Sequence, residues 1–140
     1  MICYAVIDTN VLVSALLSVN DDAATVQVVG RLLGGEIIPI YSNEITKEYR
    51  EVLTRKKFGF SPDVVGYLLS AVEQFGILVE PSPSGIILPD MKDLPFYEVV
   101  LEKCTESDDA YLVTGNTKHF PVKPFVVTPR ELLDILNSSD

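Results

Sequence analysis

At 140 residues, the chain has the length of one domain with room for a proper core, and its 47% apolar content and mean hydropathy of +0.26 exclude intrinsic disorder. The net charge of −9 argues against a broad basic surface that coats nucleic acid, yet leaves room for acidic groups that hold a metal beside a local basic patch. No apolar stretch is long enough to cross a bilayer, the N-terminus lacks a signal-peptide pattern, and Cys3 and Cys104 are too few for a disulfide scaffold and lack metal-ligand spacing. The chain therefore reads as soluble and cytoplasmic, without membrane attachment, its cysteines buried and reduced.

The run Ile2–Ile7 reads as a strand buried on both faces, ended by Asp8-Thr9-Asn10 and followed at once by the amphipathic stretch Val11–Leu17. Asp21 or Asp22 can cap a second helix bearing Val26, Val29, Leu32 and Leu33, which Gly34-Gly35 stops. Glu36–Tyr41 reads as a second strand, with Pro39 expected at an edge, a bulge or the strand end because it lacks a ladder donor. Ser42 caps a helix expected to reach about Lys56. Its apolar stripe is Ile45, Tyr49, Val52 and Leu53, and of its acids Glu48 lies nearest that stripe while Glu44 and Glu51 point further out.

Ser61-Pro62 opens a helix to about Phe75, and Ile77–Val79 is a third strand followed by the loop Pro81–Gly85. Asp90–Asp93 leads into a helix from about Leu94 to Lys103, with Asp93 placed as its N-cap. Tyr111–Thr114 and Phe125–Val127 are the fourth and fifth strands, and Thr128-Pro129-Arg130-Glu131 is a capping box opening a last helix. Short apolar strands alternating with helices predict a three-layer α/β/α domain spanning 1–140, with a central parallel sheet of about five strands.

In such a sheet, ligands collect outside the carboxyl ends of the strands. Asp8 and Asn116 end the first and fourth strands, Asp93 precedes the helix leading to the fourth, and Glu48 borders the helix after the second. Oxygen donors without a His or Cys cluster suit Mg²⁺ or Mn²⁺. Each residue has a plainer explanation: a cap for Asp8 and Asp93, a solvated helix flank for Glu48, a turn for Asn116. His119 has no serine or cysteine nucleophile signature around it, and Gly34-Gly35 lacks phosphate-loop spacing.

Taken together and in order, Asp8-Thr9-Asn10, Ser42 with Glu48–Leu53, Asp90 with Asp93, and Leu112-Val113-Thr114-Gly115-Asn116 resemble the PIN domain, and most closely its bacterial and archaeal branch of toxins from toxin–antitoxin systems. The resemblance implies a five-stranded parallel α/β/α fold and a Mg²⁺- or Mn²⁺-dependent endoribonuclease. It places Asp8, Glu48 and Asp93 on the catalytic and metal-binding positions. Thr9, Asn10, Asp90 and Thr114 support them, and Asn116 is a weaker ligand where many relatives carry Asp. It further implies an antitoxin protein as partner, and a homodimer is an expected assembly. RNA phosphates would meet Lys47, Arg50, Arg55, Lys56, Lys57 and Lys118.

A binding module that keeps the fold with little or no nuclease activity is the alternative, favoured by Asn116 and the acidic balance. A phosphatase-like enzyme with Asp8 as nucleophile ranks last, because Asn10 stands where that chemistry wants a second Asp.

Overall fold

The computed structural model describes residues 2–138; Met1, Ser139 and Asp140, at the ends of the expected 1–140 domain, lie outside the described residues. The strands are β1 (Cys3–Ile7), β2 (Ile37–Tyr41), β3 (Ile77–Leu78), β4 (Ala110–Val113) and β5 (Val126–Val127). They form a five-stranded sheet in the order β3-β2-β1-β4-β5, and every pairing is parallel. The helices are α1 (Thr9–Leu17), α2 (Ala24–Leu33), α3 (Asn43–Leu53), α4 (Pro62–Phe75), α5 (Leu94–Cys104) and α6 (Pro129–Ser138). α2 packs on α1, α6 and β2, while α5 packs across β1, β2 and β4. The architecture is the expected three-layer α/β/α sandwich.

β1 carries the fold because it is apolar throughout and sits in the middle. Cys3, Ala5, Val6 and Ile7 are buried, as a central parallel strand covered by helices on both faces requires. Burying side chains the size of Val6 and Ile7 stabilises the fold by about 1.5–3 kcal/mol each. β1 pairs with β2 on one side and β4 on the other. The chain order reverses between β1 and β4, and in open parallel sheets that reversal is where the crevice for ligands forms.

Several boundaries depart from the expected ones for identifiable reasons. α2 starts at Ala24, not after Asp21 or Asp22, because Asp22 N–H donates to Asn20 Oδ1 (2.9 Å) and Ala23 N–H to the Asn20 carbonyl (3.1 Å), a local turn that competes with a cap. α3 ends at Leu53, short of Lys56; Thr54 Oγ1 donates back to the Arg50 carbonyl at 2.6 Å and a turn follows. Pro39 lies in an interior strand and is buried. It is tolerated because the ladder to β3 begins one residue later, at Ile40, so the missing donor falls outside it. Gly76 at the α4–β3 corner is required sterically: a Cβ there would meet the Val72 carbonyl at 2.3 Å and that of Pro39 at 2.5 Å. The C-terminal capping box forms as expected, with Glu131 N–H donating to Thr128 Oγ1 (3.1 Å) and Thr128 N–H to Glu131 Oε1 (2.9 Å).

Candidate functional site

The register Ile7↔Val113 sets Asp8 beside Thr114 as the chain leaves β1 and β4. Asp8 N–H donates to the Val113 carbonyl (2.9 Å), and Thr114 Oγ1 donates to Asp8 Oδ2 (2.7 Å). Asn116 N–H in turn donates to Thr114 Oγ1 (3.0 Å), so one buried hydroxyl joins the strand-four turn to the carboxylate. Asp8 occupies the N-cap position of α1 without a side-chain capping hydrogen bond. Only 6% exposed, its carboxyl is raised above the usual range by burial. The Thr114 bond lowers it, the Asp93 charge raises it, and the nearby amides of Asn10 and Thr9 lower it.

Glu48 comes from the inner flank of α3. Ile45, Tyr49 and Leu53 are buried, which turns Glu48 toward the end of β1. Thr9 Oγ1 donates to Glu48 Oε2, and the buried Tyr49 hydroxyl donates to the Ile7 carbonyl, tying α3 to β1 one residue before Asp8. Burial raises the Glu48 carboxyl. The Thr9 bond lowers it, the Asp8 charge raises it, and Lys92 and Arg55 lower it.

Asp93 holds the expected N-cap position of α5. Asp90 caps the short 3₁₀ turn (Met91–Asp93) before it, its Oδ1 accepting from Lys92 N–H at 3.0 Å. The Asp93 side chain makes no capping bond. Its Oδ2 is buried without a hydrogen-bond partner, although His119 Nδ1 lies 3.4 Å away. Burial and then Asp90 raise its pKa, His119 lowers it, and Glu48 raises it.

Asp8, Glu48, Asp93 and Asn116 line one crevice of about 360 Å³, with Thr9 and Asn10 in its wall. Asn10 Oδ1 accepts from Gly115 N–H (3.4 Å), linking the turns after β1 and β4. A larger cleft of about 540 Å³ along Thr117–Val127 has Glu131 as its only lining carboxylate and offers no such acid set. Of the expected basic residues, Arg55 lines the acidic crevice and shares an adjoining groove with Lys47, Arg50 lines a groove against α4, and Lys118 the larger cleft. Lys57 sits over the Phe58 ring, and Lys56 is exposed.

The sequence reading missed Lys92, Phe58 and His119 as crevice residues and Tyr49 as a tether. Lys92 was detectable only as the neighbour of Asp93, and Tyr49 as a hydroxyl on an apolar stripe next to Glu48.

Hard carboxylate oxygens, with a buried Asp93 oxygen that accepts no hydrogen bond, match a small divalent cation in kind. Among the described residues, no group of three or more His, Cys, Asp and Glu is placed to hold a metal ion together.

The chain matches the family model for the PIN domain over residues 4–118, a span that runs from β1 past β4 and contains Asp8, Glu48, Asp93 and Asn116. No match was found among curated proteins or among solved structures. Among the described residues, no helix is long and apolar enough to cross a membrane. PIN domains are generally nucleases and typically use divalent metals, which places this fold in the hydrolase class. The match covers most of the chain and every element that builds the acidic crevice, and the chain belongs to the PIN domain family.

Proposed function

We propose that the protein is a Mg²⁺- or Mn²⁺-dependent endoribonuclease that hydrolyses RNA phosphodiester bonds, with Asp8, Glu48 and Asp93 as the catalytic, metal-holding carboxylates and Asn116 as a weaker ligand. The observation that carries this reading is mutual. All three carboxyls line one crevice, all three are raised by burial, and each is raised further by another acid of the site. Like charges held together in this way favour a divalent counter-ion.

When bound, the cation supplies an activated water and offsets charge on the leaving oxygen. The chain's own residues prepare the site. Thr114 orients Asp8 through its hydroxyl, and Thr9 orients Glu48. Asp90 holds the 3₁₀ turn so that the Asp93 side chain is left to face the crevice. Lys92 and Arg55 favour ionised Glu48 and give substrate phosphates a cationic approach.

Cleavage of a labelled RNA in millimolar Mn²⁺, abolished by EDTA and by Asp8→Asn, tests this. RNA that wild-type protein binds but leaves intact would overturn the nuclease reading.

The toxin role, with an antitoxin protein as partner, cytoplasmic location and homodimeric assembly, belongs to the same proposal and is supported by the branch that the ordered motif set resembles. Growth arrest on expression, relieved by Asp8→Asn, tests the toxin role. The second reading is an RNA- or partner-binding module. It is favoured by the neutral Asn116 in the crevice and by the lack of a closed carboxylate cage among the described residues.

A further inference from the structure

Phe58 is a half-buried aromatic ring outside the hydrophobic core. It lies in the turn after α3, where Phe58 N–H donates to the Arg55 carbonyl (3.1 Å) and Gly59 N–H to that of Lys56 (3.2 Å). Gly59 takes φ +64°, a left-handed conformation that glycine adopts without strain. The turn presents Phe58 and Phe60 in near-parallel contact, with ring centroids 5.3 Å apart and an interplanar angle of 9°. Among the described residues, Phe60 packs against the hydrophobic core, while Phe58 stands outside that cluster. The Phe58 ring instead lines the acidic crevice with Asp8, Glu48 and Asp93.

The charges around the ring identify its occupant. Arg55 and Lys92 line the same crevice, and Lys57 Nζ lies 5.1 Å from the Phe58 centroid. An aromatic face flanked by cations, in a chain whose net charge is −9, is complementary to an unpaired nucleic-acid strand, which offers a flat base beside each phosphate. A paired base cannot present its face to a side chain in this way, because that face is taken up by its neighbours in the stack.

We propose that Phe58 is a base-stacking platform for the RNA strand bound at this crevice. The base beside the reacting phosphodiester lies on Phe58, and Arg55 and Lys92 hold the flanking phosphates. Phe60 braces the platform from the core side, and Lys57 moves from the ring to a phosphate as the base arrives. This rests on the ribonuclease reading above and adds to it a residue that positions the substrate.

The test is binding of a fluorescent ten-nucleotide RNA, single-stranded or annealed to its complement, measured in EDTA so that no cleavage occurs. Phe58→Leu keeps an apolar side chain but removes the flat face; Phe58→Trp keeps the flat face. Phe58→Leu is expected to weaken single-strand binding by about tenfold and to leave duplex binding unchanged, while Phe58→Trp retains wild-type affinity. Melting curves of both variants confirm that each is folded. Single-strand affinity unchanged in Phe58→Leu overturns the platform, as does an equal loss for single strand and duplex, which would trace to displaced cations. Wild-type protein that cleaves RNA while Phe58→Leu binds normally overturns this inference alone. Wild-type protein that binds no RNA in EDTA and cleaves none in Mn²⁺ overturns the ribonuclease reading with it.

Discussion

Thr114 and Asp8, 106 residues apart in sequence, share a buried hydrogen bond of 2.7 Å at the ends of two adjacent strands. The hydroxyl also accepts from Asn116 N–H, so its proton is directed at the carboxylate and the Asp8 side chain is fixed in direction. Thr114 is fully buried. Thr114→Val keeps the shape and removes the donor. Leaving the buried carboxylate and the Asn116 amide short of a partner should lower stability by about 1–3 kcal/mol and weaken Mn²⁺ binding. Urea denaturation and calorimetric Mn²⁺ titration of the same variant measure both effects.

The raised carboxyls make stability depend on pH in a definite direction. Asp8 has a folded-state pKa above its ordinary 3.8, so the folded protein keeps this proton to higher pH than the unfolded chain. The folded state is then favoured at low pH, and stability falls as pH rises from 3.8 to the folded value. Glu48 and Asp93 act with the same sign. In EDTA, Asp8→Asn should melt at a higher temperature than wild type at neutral pH and show a flatter dependence above pH 4 (roughly the start of this window). Mn²⁺ should raise the wild-type melting temperature, because a ligand of the native state stabilises it by mass action, and should raise that of Asp8→Asn less. Thermal melts across pH, with and without Mn²⁺, would remove Asp8 from the site if the two proteins responded alike.

Glu48 and Glu51 lie on the same helix but differ in surroundings: Glu48 is half-buried in the crevice, and Glu51 is exposed. Glu48→Gln should abolish the Mn²⁺-dependent rise in melting temperature and RNA cleavage while preserving the fold. Glu51→Gln should behave as wild type in both. A gel assay of cleavage alongside thermal melts separates them, and equal losses would mean that the facing of α3 does not select the ligand.

Asn116 offers the crevice a neutral oxygen where a carboxylate would add a charge. Asn116→Asp should tighten Mn²⁺ binding by about tenfold or more, since a unit charge within a few ångströms of a divalent cation is worth over 1 kcal/mol even in a partly solvated site. The same substitution should lower the metal-free melting temperature by repelling Asp8 and Asp93. Calorimetric titration and EDTA melts on the two proteins test both signs. Unchanged affinity would leave Asn116 with its backbone role alone, the N–H donated to Thr114.

Periodicity and local chemistry in the sequence determined the alternation of strands and helices, the placement of Asp8 at the end of β1, the inward flank of Glu48 and the Thr128–Glu131 capping box. Each of these depends on residues within a few positions of one another, so the signal is local. The crevice itself is not local. That β1 lies between β2 and β4, and so sets Asp8 beside Thr114 and Asn10 beside Gly115, depends on strand pairings across more than a hundred residues, which no short window contains. Asp93 is another such case. The sequence placed Asp93 as the N-cap of the helix before β4. It holds that position, but its side chain makes no capping bond and lines the crevice instead, which only the tertiary structure decided. The basic residues read as one cluster because they are close in sequence. In three dimensions Lys47 and Arg55 share a groove while Arg50 lines another, because a helix points successive side chains in different directions, and the turn after it carried Phe58 into the crevice beside Arg55.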